Sequence, residues 1–248
     1  MANAGIIIIG NEVLSGRTLD KNSNYICDRC SKIGIKVKQI RIIEDDIKII
    51  IKNVLNFSKK FTYVFVTGGI GPTHDDKTAE AIARAFKRKI QINKKAKSLL
   101  IEHYKKSNIE LNENRMKMAK IPLGARLILN PVSSAPGFKI KNVWVMAGVP
   151  KIMQGMFDSY VEPKLKKTKA FISKEIVIYK PEGDIADIVE RLQNKYLELD
   201  VGSYPFYNPP NVGTNIIIRG KNDILLLKAS KYFINILKSK DILYSINQ

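Results

Sequence analysis

Up to about Ala170, short apolar runs alternate with amphipathic helical patterns, and this alternation strongly limits the possible folds. Ala4–Gly10 and Phe61–Thr67 are near-continuous apolar runs, as expected of strands covered on both faces. Asp75–Phe86 places Ala79 and Ile82 on one helical stripe. Alternating strands and helices favour a mainly parallel sheet with helices on both sides. The sequence therefore predicts an α/β domain.

The same patterns predict the remaining elements. Strands are expected at Ile35–Ile43, Lys89–Ile92, Ala125–Leu129 and Val143–Ala147, with helices at Asn22–Ile33, Asp46–Ser58, Lys94–Lys106, Glu113–Lys120 and after Pro150. After the basic stretch Lys164–Lys169 the order becomes β-α-β-β-α, which predicts a smaller α+β domain. Its expected elements are Lys174–Tyr179, Asp184–Tyr196, Val201–Tyr207, Thr214–Arg219 and Asn222–Lys238. We therefore predict two domains, residues 1–168 and 169–248.

Composition excludes several classes of protein. Hydrophobic residues make up 45% of the chain, which is enough for a buried core and argues against disorder. No apolar run approaches the roughly 20 residues that span a bilayer, and no basic segment precedes the first apolar run as in a signal peptide. Cys27 and Cys30 form a CxxC inside a predicted helix, without the further ligands that zinc needs. We expect reduced thiols and a cytoplasmic location.

The chain is strongly basic, with 42 Lys and Arg against 23 Asp and Glu and a formal net charge of +19. The lysines are scattered through every segment alongside many Ile and Asn residues, whereas a nucleic-acid face requires a clustered stripe. The GxxG loop of a nucleic-acid-binding KH domain is also missing from the smaller domain. We therefore expect small anionic ligands to be favoured over nucleic acid.

Unusual residues follow the predicted strands at their carboxyl ends, where open α/β sheets bind ligands. The segments are Gly10-Asn11-Glu12, Glu44-Asp45-Asp46, Thr67–Asp76 and Gly148-Val149-Pro150. Two of them are acidic. These loops together predict a binding site at that edge of the sheet.

The loop Thr67–Asp76 carries the most information. Its three glycines allow backbone N–H groups to approach a ligand, and it runs into a predicted helix whose N-terminus suits phosphate. It matches neither the Walker loop nor the GxGxxG fingerprint. Asp75 and Asp76 would repel a phosphate unless a divalent cation lies between them. Helix capping is the simpler alternative, because Thr73-x-x-Asp76 resembles a capping box.

Several motifs of the sequence resemble those of a known family. The motifs are GNEVLSG at 10–16 with Asp20 and Asn24, EDD at 44–46, TGGIGPTHDDKT at 67–78, IPLGARLILNPVSSAPGF at 121–138 and MAGVP at 146–150. They are similar to those of the MoaB/Mog (molybdopterin-binding) superfamily, and more closely to the N-terminal part of the CinA family. EGDIADIVERL at 182–192 and GSYP at 202–205 are similar to that family's second, KH-like unit.

The resemblance implies a three-layer α/β domain that binds a nucleotide-like or pterin-like phosphate, and a homo-oligomer. In the CinA branch it implies metal-dependent hydrolysis of ADP-ribose to AMP and ribose 5-phosphate, with Mg²⁺, Mn²⁺ or Co²⁺. In the molybdenum-cofactor branch it implies adenylylation of molybdopterin. A non-catalytic nucleotide- or RNA-binding module is the third hypothesis. The C-terminal amidohydrolase domain of many CinA proteins is expected to be absent.

The family motifs also assign roles to residues. Asp45 and Asp76 match the candidate catalytic and metal-binding acids, and Glu12 is a third candidate metal ligand. The implied ligand-binding residues are Glu12, Asn24, Thr67, Gly68, Gly69, Gly71, Pro72, Thr73, Asp75, Thr78, Ser134, Ala135, Pro136, Gly137 and Gly148. The family usually has an acid soon after the GVP motif, where this sequence has Lys151 and Ile152. The chemistry at that edge of the pocket therefore differs.

Overall fold

The computed structural model describes residues 2–247, without the side chains of Asn211 and Asn247. Within it the chain divides between Thr168 and Lys169 into two compact units. None of the helices in the described part combines the length and apolar character needed to cross a bilayer.

The first unit alternates strands and helices as the sequence indicates. Its strands are β1 (Asn3–Ile9), β2 (Lys36–Ile43), β3 (Tyr63–Thr67), β4 (Ile90–Ile92), β5 (Lys120–Pro122), β6 (Arg126–Ile128), β7 (Gly137–Ile140) and β8 (Val143–Met146). Its helices are α1 (Asn11–Leu14), α2 (Asn22–Lys32), α3 (Ile47–Lys60), α4 (Thr78–Ala85), α5 (Lys94–Lys106), α6 (Glu113–Met116) and α7 (Pro150–Met156). A π-helical turn (Phe157–Val161) and a 3₁₀ turn (Glu162–Lys164) follow α7.

Six strands form one mixed sheet in the order β2-β1-β3-β8-β7-β6. The first four strands are parallel to one another. Strand β7 is antiparallel to β8, and β6 is antiparallel to β7. Their registers place Ile9 beside Ile43, Ile8 beside Thr67, and Thr67 beside Met146. The carboxyl ends of the four parallel strands therefore lie level with one another.

Each face of this sheet carries its own apolar core. Ile7 and Ile9 of β1 belong to a cluster that includes Phe57 of α3 and Ile82 of α4. The alternate residues of β1 belong to a second cluster with α2 and α7. Because successive strand side chains point to opposite faces, the all-isoleucine run of β1 serves both cores. The predicted three-layer α/β fold is confirmed.

Three local differences separate this unit from the sequence predictions. Helix α4 begins at Thr78, three residues later than predicted. The predicted helix Glu113–Lys120 is α-helical only to Met116 and continues as a 3₁₀ helix over Lys117–Ala119, after which Lys120–Pro122 is a strand that pairs with β4. Strand β7 was not predicted, because its four residues begin at the glycine of the segment Ser134-Ala135-Pro136-Gly137 and leave too short a pattern.

The second unit is a four-stranded antiparallel sheet with two helices. Its elements are β9 (Ile172–Ile178), α8 (Ala186–Lys195), β10 (Asp200–Asn208), β11 (Asn211–Gly220), α9 (Asp223–Ser239) and β12 (Tyr244–Asn247). The strand order is β10-β11-β9-β12. Helices α8 and α9 pack through Ile188, Leu192, Phe233 and Leu237 on the same core. The predicted smaller α+β domain is thus present, with β12 as an additional strand.

A testable consequence concerns the start of α3. The Asp46 carboxylate accepts hydrogen bonds from the N–H groups of Lys48 (2.8 Å) and Ile49 (3.0 Å), so it is the N-cap of the helix. We expect Asp46→Ala to lower the free energy of unfolding by about 1 kcal/mol, whereas Asp46→Asn, which can still cap, changes it by a few tenths. Urea unfolding followed by the fluorescence of Trp144, the one tryptophan of the chain, measures both. Equal losses in the two variants would contradict this capping role.

Candidate functional site

The carboxyl ends of the four parallel strands border a cavity of about 500 Å³. Hydrogen bonds between neighbouring strands continue into the loops: the N–H of Gly10 donates to the Ile43 carbonyl and that of Gly68 to the Met146 carbonyl, each at 3.2 Å. The loops after β1, β2, β3 and β8 are therefore held side by side. Ten of the proposed site residues line this cavity: Glu12, Asp45, Gly68, Gly69, Gly71, Pro72, Asp75, Asp76, Ala135 and Gly148.

Two glycines let the loop after β3 lie against its neighbours. Gly68 has a φ of 101°, and a Cβ added there would lie 2.1 Å from the Ile9 carbonyl oxygen. Gly69 has a φ of 67°, and a Cβ added there would lie 2.2 Å from the Thr78 hydroxyl oxygen. Both positions combine a left-handed backbone with the absence of space for a side chain. The glycines are thus required by the path of the loop itself.

Thr78, the first residue of α4, holds the same loop by hydrogen bonds. Its side chain is fully buried, its hydroxyl donates to the Gly68 carbonyl and its backbone N–H donates to the Gly69 carbonyl, both at 2.9 Å. The first N–H of α4 is therefore used within the protein. Thr78 holds the loop and does not line the 500 Å³ cavity.

Asn22, at the start of α2, links two of the strand ends. Its side-chain nitrogen donates to the Gly148 carbonyl at 2.7 Å and to the buried Thr67 hydroxyl at 3.3 Å. Turning the amide over would place its oxygen against the Gly148 carbonyl oxygen, so these contacts fix its orientation. The Asn22 side-chain oxygen is buried and has no hydrogen-bond partner among residues 2–247. Asn22 does not line the 500 Å³ cavity, so it holds the strand ends in place from behind the site.

Asp45 lies half-buried among other acidic side chains. The backbone N–H of Asn11 donates to its carboxylate at 3.0 Å. Burial, and then the negative charges of Glu12, Asp75 and Asp76, raise the pKa of Asp45 above its ordinary value, and the Asn11 hydrogen bond only partly offsets them. The charged groups that raise the pKa of Asp45 are thus three carboxylates. A cation would therefore be stabilised beside Asp45.

Asp76 closes the glycine loop on itself. One carboxylate oxygen accepts the Gly71 N–H at 2.7 Å, and the other accepts the Thr73 N–H at 2.8 Å and the Thr73 hydroxyl at 2.5 Å. The bond to the Thr73 N–H is the return bond of a capping box, although α4 begins only at Thr78. Asp75 and Asp76 therefore precede the helix. The structure shows Asp76 stabilising the loop, and its part in metal binding or catalysis stays a proposal.

Asn130 shapes the loop before β7. Its side-chain oxygen accepts the N–H groups of Val132 (2.9 Å) and Ser133 (3.1 Å), and its nitrogen donates to the Ser133 hydroxyl (2.6 Å) and the Ala135 carbonyl (3.0 Å). Both the buried Asn130 and the Ser133 hydroxyl reach the 500 Å³ cavity. Asn130 thereby presents this loop to the site.

Several proposed ligand-binding residues lie away from the cavity. Asn24 is exposed two residues along α2 from Asn22, because a helix turns about 100° per residue. Ser134 has a φ of 60° and does not line the cavity, which its neighbours Ser133 and Ala135 do. Gly137 faces β8: a Cβ there would lie 2.1 Å from the Val145 carbonyl oxygen. We therefore assign Gly137 to strand packing.

A second cavity, of about 250 Å³, lies on the other side of the glycine loop. It shares Gly69, Gly71 and Asp76 with the larger cavity. Thr73 and Pro136, two further proposed ligand-binding residues, line it. Its other charged lining residues are Lys77, Glu80, Lys117 and Lys120, with His74. One side of the loop is thus mostly acidic and the other mostly basic.

The residues fit a divalent cation held loosely. Among residues 2–247 no group of three or more His, Cys, Asp or Glu side chains has the arrangement of a metal cage. Mg²⁺ commonly binds through one or two carboxylates and completes its shell with water and substrate phosphates. Asp45, with its raised pKa and acidic neighbours, supplies such a carboxylate, and Glu12 lies beside it. A cation of that kind fits; a fully protein-enclosed one does not.

Sequence reasoning missed Asn22 and Asn130, and in the serine pair it selected Ser134, whereas Ser133 lines the cavity. Asn22 follows Asp20, whose carboxylate accepts the Asn22 N–H at 2.9 Å and the Ser23 N–H at 3.1 Å. An Asp-x-Asn at a helix start indicates a cap, and it does not reveal that the Asn side chain turns toward the sheet. Asn130 and Ser133 lie in a turn-forming segment, where such residues are common for local reasons.

These features define an α/β domain with a candidate ligand site at the carboxyl edge of its parallel strands. Residues 5–167 match the family described as "probable molybdopterin binding domain", and residues 170–245 match the "FAD synthase, middle domain". The chain belongs to the molybdopterin-binding-domain family.

Individual proteins agree with this assignment. A protein from Archaeoglobus fulgidus is 37% identical over 239 residues, covering 95% of this chain and 98% of that one. One from Sulfolobus acidocaldarius is 37% identical and covers 78% of this chain and 76% of its own. The crystal structure of "the protein CinA with unknown function" from Thermoplasma acidophilum is 33% identical, with a TM-score of 0.59 over 63% of this chain and 95% of that one. The predicted resemblance to MoaB/Mog and CinA proteins is confirmed.

The acidic surroundings of Asp45 predict a pH-dependent stability effect. Because its pKa is raised, the ionised carboxylate costs stability above that pKa, and the cost disappears as pH falls toward its ordinary value of 3.8. In EDTA at pH 7 we expect Asp45→Asn to raise the free energy of unfolding by up to about 1 kcal/mol, a gain that shrinks by pH 4.5. Urea unfolding read by Trp144 measures it. The exposed neighbour variant Glu44→Gln should show no such trend, and a less stable Asp45→Asn at pH 7 would contradict the interpretation.

The two asparagines of α2 provide a matched pair. Asn22→Ala removes both donors that join Thr67 and Gly148, so we expect it to lower the free energy of unfolding by about 1–3 kcal/mol. Asn24→Ala, on the exposed face of the same helix, should change it by less than about 0.5 kcal/mol. Thermal and urea unfolding of both variants compares them. Similar values for the two would show that the Asn22 contacts add nothing.

Proposed function

We propose that the 500 Å³ cavity binds a nucleotide diphosphate together with a divalent cation and hydrolyses its phosphoanhydride bond, with ADP-ribose or a related dinucleotide as substrate. The observation that carries this proposal is Asp45. Burial and then acidic neighbours raise its pKa, and it lies beside a glycine loop that lines the same cavity. Such a place favours a cation and, through the cation, a phosphate.

The dimensions of the site support a substrate with two halves. The larger cavity lies within the range of about 300–1,000 Å³ that is common for small-molecule sites. The 250 Å³ cavity adjoins it across Gly69, Gly71 and Asp76. A diphosphate at the glycine loop would leave one cavity for each group attached to it. A dinucleotide or nucleotide sugar has this shape.

In this proposal the residues that line the cavity have separate roles toward the cation and the phosphates. Mg²⁺, Mn²⁺ or Co²⁺, when bound, would neutralise phosphate charge and increase the acidity of water. Asp45 and Glu12 would hold it, with Asp76 keeping the loop closed over the phosphates. Ser133, which lines the cavity, would orient the ligand, and Asn22 would keep the ends of the strands in place behind it. Water adds to one phosphorus and the P–O bond to the other phosphate breaks, giving AMP and ribose 5-phosphate from ADP-ribose.

The family match favours a second candidate function. Because residues 5–167 match the molybdopterin-binding family, the same cavity is a candidate site for a pterin phosphate and for its adenylylation. The match of residues 170–245 to the middle domain of FAD synthase adds FAD to the compounds worth testing. Self-association likewise stays a prediction, which analytical ultracentrifugation would test.

We predict metal-dependent release of AMP. The purified protein is incubated with ADP-ribose, NAD, FAD or ATP and Mg²⁺, Mn²⁺ or Co²⁺, and AMP is measured by chromatography. Asp45→Asn should lower kcat/KM for the preferred substrate at least about 100-fold, because the removed charge would hold the cation that neutralises the phosphates. Glu44→Gln, the same charge change outside the cavity, should retain activity within about threefold. Turnover unaffected by Asp45→Asn would refute the site assignment, and binding without turnover would favour the non-catalytic module.

A further inference from the structure

Two basic side chains and the single tryptophan lie in register across strands β6, β7 and β8. Arg126 of β6 is directly opposite Lys139 of β7, and Lys139 is directly opposite Trp144 of β8. Directly opposed residues share a face of the sheet, so the three side chains form one row. The Lys139 ammonium lies 4.5 Å from the centre of the Trp144 ring. None of these residues lines the cavity at the glycine loop.

This row borders a cavity of its own, of about 220 Å³. Its lining is completed by Leu127, Ile128 and a third cation, Lys164, from the 3₁₀ turn after α7. Three positive side chains from three separate elements thus surround one small space. The cavity is large enough for a phosphate group and too small for a nucleotide.

The positive charges of this cavity are not balanced by acids. Within residues 2–247 none of the three cations is in a salt bridge, whereas Arg29 of the same unit is paired with Asp158 and Glu162. Burial, followed by the charges of Arg126 and Lys164, lowers the pKa of Lys139. Like charges directly opposite each other destabilise a sheet. An anion in the cavity would remove that cost.

The tryptophan supplies a second, independent observation. Trp144 is 3% exposed, and its indole N–H is buried with no acceptor among the described residues. A buried donor without a partner is uncommon, because leaving it unpaired costs free energy. The cavity therefore combines three cations that have no acidic partner with a tryptophan whose indole N–H has no acceptor among the described residues. All of these groups favour an acceptor with negative charge.

We propose that this second cavity, lined by Arg126, Lys139, Trp144 and Lys164, binds the phosphate group of a small molecule. The site stands independently of the function proposed for the glycine loop, since the two share no residue. Charged side chains on an edge strand such as β6 also discourage pairing with another chain. That role alone requires neither Lys164 nor the alignment with Trp144, and it predicts no phosphate binding.

Trp144 makes the test direct. Its emission is followed while inorganic phosphate, and separately ribose 5-phosphate, replaces chloride at constant ionic strength. We expect a saturable change that Asp45→Asn retains. Arg126→Gln and Lys164→Gln, which leave the contact between Lys139 and the indole ring in place, should each raise the Kd at least about tenfold. Lys166→Gln, the same charge change two residues from Lys164 and outside the cavity, should alter it less than about twofold.

Saturation by inorganic phosphate would assign the free ion as ligand, and saturation by ribose 5-phosphate alone would assign a phosphate monoester; both support the site. A change in Trp144 emission that stays linear in phosphate concentration, and that added chloride also produces, would overturn the site. So would an unchanged Kd in both Arg126→Gln and Lys164→Gln. Circular dichroism of each variant confirms that the fold is retained before the titration.

Discussion

The contact between Gly68 and the Ile9 carbonyl is the constraint on which the site depends. No side chain fits between the loop after β3 and the end of β1, where an added Cβ would lie 2.1 Å from that oxygen. The close approach brings the Gly69 carbonyl within reach of the Thr78 N–H and places Asp76 where it can accept the Gly71 N–H. The cavity exists because this loop is held flat against the strand ends.

The site is locally negative, whereas the whole chain is strongly positive. The protein carries a formal charge of +19, yet the carboxylates of Glu12, Asp45, Asp75 and Asp76 cluster at the carboxyl edge of the sheet. The overall field draws anionic ligands toward the protein, while the local field at Asp45 repels them. A bound cation reconciles the two. This is the physical basis for expecting a metal and a phosphate to bind together.

The architecture was largely predictable from the sequence, because β1 and β3 are near-continuous apolar runs and the helices between strands carry apolar residues at a period of about 3.6. The family motifs likewise identified the loops that border the cavity. They did not identify which side chain of a motif points inward: Asn22 reaches the strand ends and Asn24 does not. That distinction depends on the angle at which α2 packs on the sheet. In the same way, the start of α4 at Thr78 depends on tertiary bonds to Gly68 and Gly69, which outweigh the local capping signal of Thr73.

Mutual dependence of metal and nucleotide binding tests the central claim most directly. Mn²⁺ bound to the protein can be measured by electron paramagnetic resonance, alone and with saturating AMP, and the affinity for AMP can be measured with and without Mn²⁺. By linkage each ligand must tighten the other by the same factor. We expect Mn²⁺ and AMP each to raise the affinity for the other by a factor of about ten or more, and we expect Asp45→Asn to abolish this effect. Equal Mn²⁺ affinities with and without AMP would contradict it.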